Sequence, residues 1–227
     1  MIGPALALGG AAWMSWAWLP HLLTPGCVWR GPRTARRLAL TFDDGPDPEW
    51  TPRVLDVLAA ADVRATFFLV AERAERAPVL VRRMVAEGHE VGNHSWSHRS
   101  LWLCGPRATA RQIRDAHACL ADLAGAAPRH FRPPWGMVNA AMFTVLRGVG
   151  ERCVFWSIQP EGLRPAPAER QVDSLRRRVA PGAIVDLHDA EGTPGAPARL
   201  LAALPPLLAV LRDRRYACTT VAELLAR

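Results

Sequence analysis

Lysine is absent from this chain of 227 residues, and tyrosine occurs once. Arginine alone therefore carries the positive charge, and its 28 copies outweigh 21 acidic residues for a net charge of +7. The arginines are scattered and come with no zinc finger, RNA-binding aromatic signature or heptad run, so no nucleic-acid partner is expected. Cysteine is scarce as well: Cys27, Cys104, Cys119, Cys153 and Cys218 are odd in number, far apart and never in a C-x-x-C pair. That excludes a disulfide framework and makes reduced, buried thiols the expected state. Internal repeats are missing, and the one biased tract is Ala/Pro-rich, near 194–206. A composition half apolar and 22% charged excludes a disordered chain, and the length suits one domain with a short appendage.

Between residues 2 and 23 there is no charged side chain apart from a proton on His21, and the run holds Trp13, Trp16 and Trp18. This approaches the roughly 20 apolar residues that span a bilayer, with tryptophans suited to its interfaces. Gly9, Gly10 and Pro20 work against a straight helix, and the basic opening of a secretory signal is missing. The reading is a membrane segment within an appendage over 1–37, with an apolar helix packed on the domain as the alternative. Arg30, Arg33, Arg36 and Arg37 follow it. If the segment spans, the positive-inside rule places the remaining domain, 38–227, at the cytoplasmic face, with a soluble or cell-envelope location as the alternative.

From residue 38 onward, short apolar runs alternate with helical patterns. Strands are predicted at 38–42, 65–70, 89–92, 129–132, 153–158, 183–187 and 216–220, with helices at 51–61, 78–87, 109–123, 139–149, 168–179 and 200–214. Strand then helix, about seven times over, is the pattern of a parallel α/β sheet or barrel. Chemistry in such folds gathers where strands end, and four polar clusters fall at those ends.

Asp43-Asp44-Gly45-Pro46-Asp47 closes the first strand with adjacent carboxylates whose side chains diverge, so one can ligate a metal while its neighbour approaches a bound water. The same letters are good turn chemistry. His94 and His98 are four apart and share one face if that turn is helical; with one aspartate they make three ligands and leave a position for water. Arg132 sits beside Pro133, Pro134 and Trp135, where a guanidinium can orient a carboxylate and an indole can wall a sugar ring. His188 ends a strand, and its ordinary pKa suits proton donation near neutrality.

Together these residues resemble the polysaccharide deacetylase family, the metal-dependent NodB-like carbohydrate esterases, over roughly residues 38–220. Thr41-Phe42-Asp43-Asp44-Gly45-Pro46-Asp47 is similar to that family's TFDDGP motif, His94 and His98 to its H-(S/T)-x-x-H pair, and Arg132-Pro133-Pro134-Trp135 to R-x-P-(F/Y/W). Val185-Asp186-Leu187-His188 approximates L-x-L-H. The resemblance implies a distorted (β/α) barrel in which Asp43 is the catalytic base, Arg132 its partner and His188 the general acid. It further implies that Asp44, His94 and His98 hold a divalent metal, Zn²⁺ or one of Co²⁺, Ni²⁺ and Mn²⁺, and that Pro134, Trp135 and Leu187 meet the substrate. The fourth motif departs from the family pattern: Gln159 and Leu163 stand where Asp and Trp are expected, which leaves Glu161 and Asp189 as candidates to orient His188.

The implied activity is removal of an N-acyl group, N-acetyl by preference, from an amino sugar in a glycan or a lipid-linked saccharide. Two other readings stand beside it: a catalytically silent glycan-binding relative, and a metal-dependent amidase or esterase acting on a non-sugar substrate. The sequence carries no signature of oligomeric state.

Overall fold

The structure, a computed structural model, describes residues 13–24, 26–162, 166–192 and 194–226. Its centre is β1, Arg37–Asp43, buried over six consecutive positions. A strand covered on both faces needs no polar alternation, so Leu38, Leu40 and Phe42 pack outward under the helices while Ala39 packs inward. Thr41 and Asp43 share the inward parity of Ala39. Six further strands follow: β2 Thr66–Leu69, β3 Glu90–Asn93, β4 His130–Phe131, β5 Arg152–Cys153, β6 Ile184–His188 and β7 Ala217–Thr219. The sheet runs β5-β4-β3-β2-β1-β6, and every pairing is parallel. On one side β6 lines β1 from Ala39 to Asp43. The other side is divided, with β7 beside Arg37–Ala39 and β2 beside Thr41–Asp43.

Of the strand expected over 153–158, only Cys153 stays in the ladder, as the end of β5. Beyond Cys153 the chain leaves β4 and crosses the gap to β6, where the Ser157 and Asp186 amides donate to Ile184 O (2.9 Å) and Ile158 O (2.8 Å). That crossing curls the sheet towards closure, giving the distorted barrel. Helices cover the outside, the longest being α5, Pro106–Ala124, whose buried Thr109, Ile113, Ala116 and Leu120 recur at helical spacing. The other outer helices are α2 Trp50–Ala60, α3 Ala71–Arg76, α4 Pro78–Ala86, α6 Ala140–Val149, α7 Ala168–Arg178 and α8 Ala196–Asp213. A last helix, α9 Val221–Leu225, plugs the base: the Val221 amide donates to Thr66 Oγ1 (2.8 Å) and the Ala222 amide to Glu90 Oε2 (2.9 Å). Its start is fixed by a capping box between Thr220 and Glu223.

Before β1, a helical arm over Met14–Trp18 and α1 (Leu19–Leu23) rests on the domain. Trp16 Nε1 donates to Cys104 O (3.2 Å), Ala17 is buried, and Trp13 and His21 meet Trp102 edge-on at 5.3 Å. Among the described residues no helix is long and apolar enough to cross a membrane. Residues 2–12 of the expected membrane segment, and Leu163 of the fourth motif, lie outside the described residues. The basic linker between the apolar run and the domain is partly seated in the wall: Val28 bridges Val154, and the Gly31 amide donates to Gly182 O at 2.8 Å.

Gly182 holds that contact at φ +76°, and a Cβ there would lie 2.3 Å from Gly31 O and 2.7 Å from Pro32 O, both backbone atoms. Gly182→Ala is therefore expected to lower unfolding stability by about 1–3 kcal/mol through strain and overpacking. A chemical-denaturation midpoint equal to wild type would show that the linker does not dock at Gly182.

Candidate active site

The strand ends of β1, β3, β4 and β6 bring the expected site residues around one cavity of about 190 Å³. Asp43, Asp44, His94, His98, Pro133, Trp135, Glu161, Asp186 and His188 all line it. Two expected substrate contacts do not. Leu187 points away into the core under the helices, as strand alternation requires of a residue between Asp186 and His188, and Pro134 is buried while Pro133 takes the wall position.

Arg132 is fully buried, and its guanidinium reaches across the barrel interior. Nη1 donates to Asp43 Oδ1 (2.7 Å), Thr41 Oγ1 (2.7 Å) and Asp186 Oδ1 (2.9 Å). Nη2 and Nε reach the carbonyls of Phe155 (3.1 Å) and Val154 (3.3 Å), and Phe68 and Trp156 pack against its flat faces. Two carboxyls thus share one cation. Burial first, and then the charge of Asp43, push Asp186 up to about 8.

His94 and His98 converge, but on an irregular turn and not a helical one. Ser95 and His98 take left-handed φ values of 71° and 56°, as do Asp44 (73°) and Trp135 (59°) around the same cavity. Such conformations cost roughly 1–3 kcal/mol each unless their surroundings impose them. Here the surroundings do: Asn93 Oδ1 accepts from the Ser95 amide (2.9 Å), Ser95 Oγ from the His98 amide (3.1 Å), and the Gln112 carbonyl on α5 from the Trp96 amide (2.8 Å).

The donor atoms of Asp44, His94 and His98 lie within 4.8 Å of one another. Nε2 of His98 is 2.9 Å from Asp44 Oδ1 and that of His94 is 3.4 Å away, yet no hydrogen bond of acceptable geometry satisfies that buried oxygen. An oxygen flanked by two ring nitrogens and left unpaired is arranged for a cation. His94 Nδ1 meets Arg132 O at 2.7 Å, which commits that nitrogen to the proton and leaves Nε2 as a ligand. Burial would raise Asp44, but the two imidazoles outweigh it and hold its carboxyl well below the usual range. The donor set fits one divalent ion.

Beside Asp43, at the same register on β6, stands His188, whose Nδ1 lies 2.6 Å from Glu161 Oε2. Of the two candidates for orienting it, Glu161 holds the contact. Asp189 instead accepts from Thr51 Oγ1 and packs against Gly45, bracing the turn after β1. Burial would lower His188, but Asp186 and Glu161 outweigh it and push the imidazole well above its ordinary value. Gln171 on α7 was not singled out in the sequence. It is buried at the cavity wall with Oε1 unpartnered, and nothing in a single glutamine on an amphipathic helix marks it in advance.

Buried Asp43 and half-buried His188 line one cavity beside donors that fit a cation, an arrangement suited to hydrolysis at the mouth of a parallel barrel. The sequence profile of the polysaccharide deacetylase family matches residues 30–154, and the chain belongs to that family. It is 39% identical over 185 residues to a chitooligosaccharide deacetylase of Sinorhizobium fredii, covering 78% of this chain and 86% of that protein. A peptidoglycan-N-acetylglucosamine deacetylase of Bacillus cereus is 35% identical over 200 residues, covering 87% and 92%. Among solved structures, a peptidoglycan N-acetylglucosamine deacetylase superposes with a TM-score of 0.83 at 30% identity, covering 90% of this chain and 94% of that one.

The sign of the His188 shift makes a prediction. A raised pKa means that the imidazolium survives as pH climbs past the ordinary histidine range and is lost only above it. Glu161→Gln keeps an acceptor and removes a charge, so the His188 titration followed by ring-proton NMR should move down by about one unit or more. An unmoved titration would give the orienting role to another carboxyl.

Proposed function

We propose that the chain is a zinc-dependent N-deacetylase that releases acetate from an N-acetylglucosamine-containing saccharide. The observation that carries this reading is the convergence of Asp43 and His188, register neighbours on β1 and β6, on the same cavity as the Asp44, His94 and His98 donors. Two imidazoles and one carboxylate suit zinc, and cobalt, nickel or manganese are the alternatives. When bound there, the ion lowers the pKa of a ligated water from about 15.7 towards 7 and polarises the acyl carbonyl.

Asp43 accepts the proton of the attacking water. Its Oδ1 is tied to Arg132, and its Oδ2 faces the donor set, 3.8 Å from His94 Nε2. Arg132 keeps that carboxylate charged and aimed. His188 delivers a proton through Nε2 to the sugar nitrogen as the C–N bond breaks, because Glu161 occupies Nδ1. The products are acetate and a free amine. Trp135, 61% exposed at the rim, offers an indole face to a sugar ring. Retention of both an acid and a base favours hydrolysis over a silent glycan binder, which needs neither, and the named activities of the relatives favour a sugar amide over a non-sugar ester.

Asp43→Asn should retain metal and lose about 10²–10⁴-fold in acetate release from N-acetylated chitooligosaccharides. Chelation of wild type should abolish release, and added zinc should restore it. Full turnover in the variant would remove Asp43 as the base, and release indifferent to chelator would remove the metal.

A second reading of the substrate, a lipid-linked amino sugar met at a membrane surface, draws on the arm. Trp13, Trp18, Leu19, Leu22 and Leu23 are exposed on it, and Arg30 and Arg33 follow. The full chain is expected to pellet with vesicles containing anionic lipid, less so with Leu22→Ser and Leu23→Ser together. A full chain that stays in the supernatant confines the reading to soluble saccharides.

A further inference from the structure

Cys27 and Cys153 are separated by most of the barrel in sequence and brought together by sheet register. The Val28 amide donates to Cys153 O (2.9 Å), and Val28 O accepts from the Phe155 amide (2.8 Å), the parallel pattern that pairs Val28 with Val154. One step to either side, the same register sets Cys27 beside Cys153 and Trp29 beside Phe155. Alternation sends those two pairs to the face opposite Val28 and Val154. The packing agrees: Val28 and Val154 lie in the barrel interior, while Cys27 joins Cys153 and Phe155 in the layer with Ile113 of α5 and Met142 of α6. Trp29 and Phe155 stack with centroids 4.1 Å apart and planes 6° from parallel, so side chains at this register do meet.

Neighbouring strands run about 4.7–4.9 Å apart, inside the roughly 4.4–6.8 Å between Cα atoms that a disulfide bridges. Both residues are free thiols in this structure, Cys27 partly exposed and Cys153 buried. A hydrogen bond from one thiol to the other lowers Cys27 below the ordinary thiol value, and burial first, then that neighbour, raise Cys153. The pair is therefore asymmetric, with one accessible sulfur and one sheltered sulfur behind it.

We propose that Cys27 and Cys153 form a reversible disulfide that clasps the N-terminal arm to the edge of the barrel. The oxidant is a disulfide donor such as oxidised glutathione or a dithiol oxidase. The Cys27 thiolate attacks one donor sulfur and expels the other as a thiolate. Cys153, giving up its proton, then attacks the Cys27 sulfur and expels the second donor thiol. Two protein thiols are oxidised and one donor disulfide is reduced to two thiols. In an oxidising compartment the arm is pinned; in a reducing one only the Val28 bridge and its neighbours hold it.

The test is peptide mapping of the full chain after treatment with oxidised glutathione and alkylation of residual thiols under denaturing conditions. The expected product is a single Cys27–Cys153 cross-linked peptide, with Cys104, Cys119 and Cys218 alkylated, and a thermal midpoint several degrees higher that dithiothreitol reverses. Cys27→Ser, at a partly exposed position, should fold, leave Cys153 alkylatable and show no such rise. A glutathione adduct persisting on Cys27 with Cys153 still alkylatable, or a cross-link between other cysteines, would overturn the proposal.

Discussion

A guanidinium placed inside a barrel has to be neutralised and its donors satisfied, and much of this molecule follows from meeting that demand at Arg132. Breaking one side of a buried pair costs roughly 3–5 kcal/mol, so the partners of Arg132 are not free to drift. Thr41 and Asp43 come from β1, Asp186 from β6, and two carbonyls from the crossing after β5. Through its own backbone oxygen the same residue fixes the tautomer of His94. One side chain and one carbonyl therefore couple Asp43, His94 and the closure of the sheet. Reactive groups set this way are positioned by the barrel interior and not by the loops alone.

The second constraint is local backbone strain. Asp44, Ser95, His98 and Trp135 all occupy the left-handed region without being glycine. The first three are held by something rigid beneath them: Asp189 and Thr51 under the turn after β1, Asn93 and Gln112 under the histidine turn. Glu151 lies below Asn93 and accepts from its amide at 3.0 Å. Support of this depth lets a short irregular turn hold two imidazoles at ligand spacing.

The barrel order was legible because alternating apolar runs and helical patterns survive in a parallel fold, and the strand-end clusters did meet. Other features were hidden for physical reasons. The strand over 153–158 looked continuous because apolar residues serve equally well in a ladder and in a buried crossing. Short α3 carries the charged run Ala71-Glu72-Arg73-Ala74-Glu75-Arg76, too brief to show a stripe. The histidine turn has helical spacing without helical geometry, since i and i+4 can converge by more than one backbone path. Leu187 illustrates the limit of motif transfer: its neighbours face the cavity, and strand parity turns it the other way. Asp186 was visible only as a letter within a motif, because its role depends on a cation contributed from a different strand.

The divided neighbourhood of β1 bears on how the chain comes off the ribosome. Asp44, His94 and His98 emerge more than 60 residues before Glu161, and His188 follows later still. β1 is the first of the seven strands made, but half of one of its edges, Arg37–Ala39, waits for β7, the last. An unpaired edge at the centre of a sheet invites wrong partners, and closing it spans nearly the entire globular sequence, a high-contact-order step. A nascent chain thus displays Asp44, His94 and His98 before it owns His188, and its central strand is complete only once β7 has been made.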